Sequence, residues 1–210
     1  MINTNRSQDN QNEKVINHFL FNAFFNKKYK AAEYVDDVER QCQGIDIVAD
    51  GKNYDIKAQS AKKYINNPTN TYIVELSFIN KKDERVNGWF LNDDLKTDYY
   101  VFSWVNKAEV SDKGELINLK EVEILIVDKA KLKESVFESF SEETIENIQD
   151  KLIEDSEKME RPIFQTVNHK FVMTTTLPEK PICIVLTKDR LKKYSTGHYF
   201  VNEEKILKNT

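Results

Sequence analysis

Glycine is scarce in this chain, five in 210 residues, and that scarcity excludes the Gly-rich loops from which nucleotide-binding fingerprints are built. No Gly-x-Ser-x-Gly elbow is present either, which removes the usual hydrolase nucleophile turn. Cys42 and Cys183 are the only cysteines, too few and too far apart for a disulfide framework or a zinc site. His18, His169 and His198 are scattered, without His-x-x-His or triad spacing. No run of about 18 apolar residues exists to span a bilayer. The opening Met-Ile-Asn-Thr-Asn-Arg-Ser-Gln-Asp-Asn is polar and unlike a signal peptide, so a cytoplasmic protein without a membrane partner is expected. Internal repeats and low-complexity segments are absent.

What the chain has is charge and enough apolar mass for a core. Charged residues make up 31% and hydrophobic residues 40%, so a single domain spanning 1–210 is expected. The net charge is −4, which argues mildly against a phosphate-binding surface. Its distribution softens that objection: residues 1–110 carry 15 basic and 16 acidic groups, 111–162 carry 8 and 15, and 163–210 carry 8 and 4.

The densest chemistry lies in Gly44-Ile45-Asp46-Ile47-Val48-Ala49-Asp50-Gly51-Lys52-Asn53-Tyr54-Asp55-Ile56-Lys57-Ala58-Gln59. Asp50-Gly51 between two β-branched and aromatic runs predicts a two-residue hairpin turn. That turn sets Ala49 opposite Lys52, Val48 opposite Asn53, Ile47 opposite Tyr54 and Asp46 opposite Asp55. Strand alternation then puts Asp46, Asp55, Lys57 and Gln59 on one face and Ile45, Ile47, Tyr54 and Ile56 on the other. Two carboxylates about 5 Å apart need neutralising. Either Lys57 or a hard, oxygen-liking cation such as magnesium would serve. The plain alternative is a solvated hairpin face with a surface ion pair.

These residues resemble the core motif of the PD-(D/E)xK, or restriction-endonuclease-like, nucleases, an acid at a strand end, a turn, then acid-x-Lys in the next strand. No proline precedes Asp46, a departure from the name-giving motif. The resemblance covers about residues 10–130 and includes the aromatic block Thr71–Phe78, Gly88–Leu91 and Thr97–Trp104. It implies an α/β (α+β) fold, a mixed central sheet flanked by helices in α-β-β-β-α-β order, with 131–210 as a C-terminal extension. It implies a magnesium- or manganese-dependent endonuclease that hydrolyses phosphodiester bonds, DNA being the favoured substrate. Asp46, Asp55 and the Ile56 carbonyl would hold the metal, Lys57 would orient water and offset charge on the phosphate, and Gln59 would bond water or phosphate. The alternative is a catalytically silent nuclease-fold module that binds nucleic acid or protein in phage or host defence.

Asn10 to Asn26 predicts an amphipathic helix carrying Val15, Ile16, Phe19, Leu20, Ala23 and Phe24 at helical spacing, with Asn10 and Glu13 as a reciprocal cap. Many nucleases of this group place a further catalytic glutamate on the first helix, so Glu13 is either a cap or a ligand. Glu33 and Glu75 are the other acids that stand near enough in sequence to complete a metal shell. Strands are expected at 71–78, 88–91, 97–105, 121–127, 169–175 and 182–186, and helices at 128–140, 141–157 and 188–194. Trp89, Tyr99, Tyr100, Phe102 and Trp104 read as core rather than as a base-stacking platform. The helices over 129–157 have a narrow apolar stripe, which leaves a homodimer open.

Overall fold

The computed structural model describes residues 2–209, with side chains from Ser7 onward. The chain begins with α1 (Ile2–Leu20), a π-helical turn (Phe21–Phe25), α2 (Asn26–Lys28), β1 (Ala32–Tyr34), α3 (Val38–Cys42) and the hairpin β2 (Ile47–Ala49) and β3 (Lys52–Ala58). It continues through β4 (Thr71–Ile79), β5 (Arg85–Asn87), β6 (Tyr99–Val110), β7 (Leu116–Asp128), α4 (Lys129–Phe137) and α5 (Glu142–Ser156). Last come β8 (Ile163–Gln165), β9 (Lys170–Met173), β10 (Ile182–Thr187), α6 (Lys188–Lys193), β11 (Ser195–Val201) and β12 (Ile206–Lys208).

The class is mixed α+β, and two compact units interleave in sequence. The first comprises 1–69, 96–129 and 192–210, the second 70–95 and 130–191. The first unit holds a seven-stranded sheet in the order β1-β2-β3-β6-β7-β11-β12. It is mixed because β3 and β6 run parallel while its other pairs are antiparallel. The second holds an antiparallel sheet in the order β5-β4-β10-β9-β8. Among the described residues, no helix is long and apolar enough to cross a membrane.

The hairpin forms because Asp50 and Gly51 both take positive φ, 47° and 75°, the conformation of a type I′ turn whose twist matches its strands. Ile47, Tyr54 and Ile56 then enter a core with Ile16, Leu20, Ala23 and Phe24 of the first helical segment and Val101, Ile124 and Ile126 of the sheet. Val15 faces solvent instead, since the buried stripe runs through positions 16, 20, 23 and 24.

Two expected elements are corrected. The first helix starts at Ile2 and passes straight through Asn10, so Asn10 is no N-cap and Glu13 lies in the helix interior. Gly88 to Leu91 form a turn rather than a strand, closed by the Leu91 amide donating to the Gly88 carbonyl at 3.2 Å, and the strand is β5 just before it. By contrast, Ser141 caps α5 as expected, its side chain accepting from the Thr144 amide, with Glu142 and Glu143 favourably placed against the helix dipole.

Candidate active site

The expected register holds for three pairs: Ile47 with Tyr54, Val48 with Asn53 and Ala49 with Lys52. It breaks at the fourth. The Asp46 amide donates to the Tyr54 carbonyl at 2.9 Å, one residue short of the regular partner, so Asp46 leaves the ladder and is not a cross-strand pair of Asp55. The freed Ile56 amide donates instead to Asp46 Oδ2 at 2.7 Å. A side chain thus replaces a main-chain acceptor, and the carboxylate is pinned against the DxK strand.

Asp55 is buried, its side chain 6% exposed, and its Oδ2 lies 2.9 Å from Nζ of Lys57, which is 21% exposed. Burial raises the Asp55 carboxyl, while the Lys57 ammonium and a hydrogen bond from Asp46 oppose that rise. Asp46 is pushed up to about 7, first by burial and then by the Asp55 charge, with the Ile56 amide pulling the other way. Burial works against the charge on Lys57, but Asp55, Asp46 and Glu13 outweigh it and raise its pKa. Burial beside the Asp55 charge therefore favours the protonated form of Asp46, and Lys57 offsets the charge on Asp55.

Glu13 joins this group from α1. Its carboxyl is raised by burial, with Lys57, Asp55 and Asp9 as its charged neighbours. The helix is positioned by Asn12, whose Nδ2 donates to the carbonyls of Ser60 at 3.1 Å and Gly114 at 2.9 Å, and whose Oδ1 accepts from the Leu116 amide at 3.0 Å.

The other expected residues stand elsewhere. Gln59 spends its side-chain amide on the loop that follows it, donating to Thr69 Oγ1 at 2.8 Å and accepting from the Thr69 amide at 3.1 Å. Glu33 is exposed on β1 and pairs with Arg40. Glu75 belongs to β4 in the five-stranded sheet, whose neighbours are β5 and β10, not the hairpin. Tyr100, Phe102 and Trp104 are fully buried, which rules out stacking on them.

Two residues escaped the sequence reading, and His18 was read only as a scattered histidine. Lys129 follows β7 and adds a second cation beside Asp55; its only signal is the register that aligns Asp55 with Tyr100 and Tyr100 with Val127. Tyr34 on β1 pairs with Ile47, and the next amide, Val35, donates to the Asp46 carbonyl at 2.9 Å. His18 lies on Tyr34 with ring centroids 4.2 Å apart and 22° between planes.

Among the described residues no three His, Cys, Asp or Glu side chains are spaced as a ready cage for a metal. The donor chemistry nonetheless fits a hard divalent ion, because two buried carboxylates that cannot both ionise freely are the ligands such an ion neutralises. The pair is anchored on one side by the Ile56 amide, which orients it without adding charge. No protein-family model, curated protein or solved structure matches this chain.

Proposed function

We propose that this protein is a cytoplasmic, divalent-metal-dependent nuclease that hydrolyses phosphodiester bonds in DNA, in the manner of the PD-(D/E)xK proteins it resembles. The observation that carries the reading is the convergence of Asp46, Asp55 and Lys57 at one place, the first latched to Ile56 and the other two in direct contact. A solvated hairpin face would leave these groups apart and wet. Their burial costs stability, and functional sites are where such costs concentrate.

Asp46 and Asp55 would hold the ion, with the Ile56 main chain and the Glu13 carboxyl beside them. A bound magnesium or manganese ion supplies Lewis-acid polarisation of a phosphoryl oxygen and a lowered pKa for water. Lys57 keeps its proton, and its ammonium stabilises negative charge developing on the phosphate. The Ile56 amide fixes one Asp46 oxygen and so keeps that carboxylate oriented. Glu13, raised by burial, is suited to accept a proton from attacking water. Lys129 adds a second positive charge on the Asp55 side.

The test is cleavage of plasmid, linear, single-stranded and branched DNA with magnesium or manganese, beside Lys57→Ala. Activity lost in the variant supports the reading. A folded protein that cuts nothing on this panel sinks it.

A further inference from the structure

Two asparagines of α1 are buried, and they differ in what they bond. Asn12, 1% exposed, spends both ends of its amide on main-chain partners. Asn17 is 7% exposed, and its Oδ1 is sealed from solvent with no hydrogen-bond donor among the described residues. A buried acceptor in that condition costs stability and asks for a reason. Among the described residues the one other buried side-chain oxygen without a well-formed hydrogen bond is Asp55 Oδ2, which has the Lys57 ammonium 2.9 Å away.

The course of α1 brings these oxygens to one place. Glu13, one turn before Asn17 on the same side of the helix, has Lys57 and Asp55 of β3 as charged neighbours. His18, the next residue, stacks on Tyr34 of β1. The strand between β1 and β3 is β2, and Asp46 stands at its entrance, its carbonyl bonded to Val35 and its carboxylate to Ile56. Asp46 has Glu13 and Tyr34 as electrostatic neighbours. Asn17, between the two crossing points, is therefore the buried polar side chain of α1 that lies over Asp46.

The surroundings select the partner that this oxygen awaits. An anion offers it no donor and would meet Asp46, Asp55 and Glu13. A hard divalent cation suits it, since such ions take amide oxygens alongside carboxylates. A neutral oxygen also adds a donor without adding to the repulsion between the acids. We propose that Asn17 Oδ1 is the third oxygen of the divalent-cation site, a neutral donor facing the ion that Asp46 and Asp55 would hold. This rests on the nuclease reading above and adds the group that the acid pair does not supply. Three His, Cys, Asp or Glu side chains form no cage among the described residues, and the third donor is an amide instead.

The experiment is calorimetric titration of the full chain with manganese chloride at about pH 8, where Asp46 is ionised, paired with urea unfolding in EDTA. The proteins are the wild type, Asn17→Ala and Asn17→Asp. Asn17→Ala should bind manganese about tenfold to a hundredfold more weakly. Its metal-free form should unfold at the same or a higher urea midpoint, because it loses an unpaired acceptor and gains helix propensity. Asn17→Asp keeps an oxygen and adds charge, so it should bind manganese at least as tightly as the wild type and be less stable in EDTA. Unchanged manganese affinity in Asn17→Ala, or a lower midpoint for it in EDTA, overturns the proposal, and DNA cleavage by the wild type would then leave the nuclease reading standing. Asn17-dependent manganese binding without cleavage retains the third oxygen and overturns the nuclease reading. A wild type that binds no manganese overturns both.

Discussion

Asp46 accepts the main-chain amide of Ile56, 2.7 Å away, and thereby stands in for the strand neighbour that the hairpin lacks at its open end. Local folding and site chemistry meet in that one bond. The irregularity that takes Asp46 out of the ladder also frees the amide that holds its carboxylate beside Asp55. Burial beside Asp55 then favours a protonated Asp46.

Asp46→Asn should stabilise the metal-free protein at neutral pH. Asparagine reproduces the protonated acid, because its Oδ1 can accept from Ile56 and its Nδ2 can donate to Asp55. The folded-state pKa of Asp46, about 7, lies above its ordinary 3.8. Its favourable contribution is thus fully present below about pH 4 and is lost as pH rises through about 7. In EDTA the variant should match the wild type near pH 4 and exceed it by about 4 kcal/mol near pH 8. Urea unfolding across that range is the measurement, and a constant difference at all pH values would remove the Asp46 proton.

Binding of magnesium should expel that proton. An ion competing for the same oxygens needs both acids ionised, so calorimetry in buffers of different ionisation enthalpy should register up to about one proton released per ion at about pH 6. Release should vanish above about pH 8, where Asp46 is already ionised. Asp46→Asn should bind the ion more weakly and with no proton linkage. Binding that is independent of pH in the wild type would place the ion elsewhere.

Much of this site was legible in the sequence because hairpins are local. A two-residue turn fixes register, and register fixes faces, which is why Ile47, Tyr54 and Ile56 are buried as expected. The Asp46 irregularity was not legible, since nothing in residue type announces where a ladder ends. Glu13 was recognised as a candidate acid for one reason and reaches the site for another: the helix does not begin at Asn10, and Asn12 anchors it by contacts 48 to 104 residues away in sequence. Lys129 and Tyr34 were invisible for the same cause. Only the strand order β1-β2-β3-β6-β7 brings their elements together, and no local pattern encodes it. The C-terminal strand β11 was also missed. Its His198 is bonded to the buried Glu123 at 2.8 Å, a partner 75 positions earlier.

Gly88→Ala tests the corrected placement of Glu75. A Cβ at position 88 would lie 2.6 Å from Glu75 Cγ and 2.9 Å from its carbonyl oxygen. The side chain can swing away, but the carbonyl belongs to β4 and cannot. Overpacking of this kind costs about 1–3 kcal/mol. The loss should appear in thermal unfolding while magnesium affinity stays unchanged. A parallel loss of magnesium affinity would return Glu75 to the metal shell.

Asn12→Ala separates stability from positioning. Asn12 is almost fully buried, and truncation would strip partners from the Ser60 and Gly114 carbonyls and the Leu116 amide. Each buried group left unpaired costs about 1–3 kcal/mol, partly relieved by water, so a net loss of about 2–4 kcal/mol is expected. Glu13 follows Asn12 directly, and a loosened α1 would displace that carboxyl from Lys57 and Asp55. Cleavage should then fall at temperatures where the variant is still folded, most steeply toward high pH if Glu13 takes the water's proton, because a wetter Glu13 returns toward its ordinary pKa and becomes a weaker base. Glu13→Gln in the same assay should show the full loss. If Asn12→Ala lowers stability by the expected amount yet cuts as fast as wild type, α1 is a structural strut and Glu13 has no part in the chemistry.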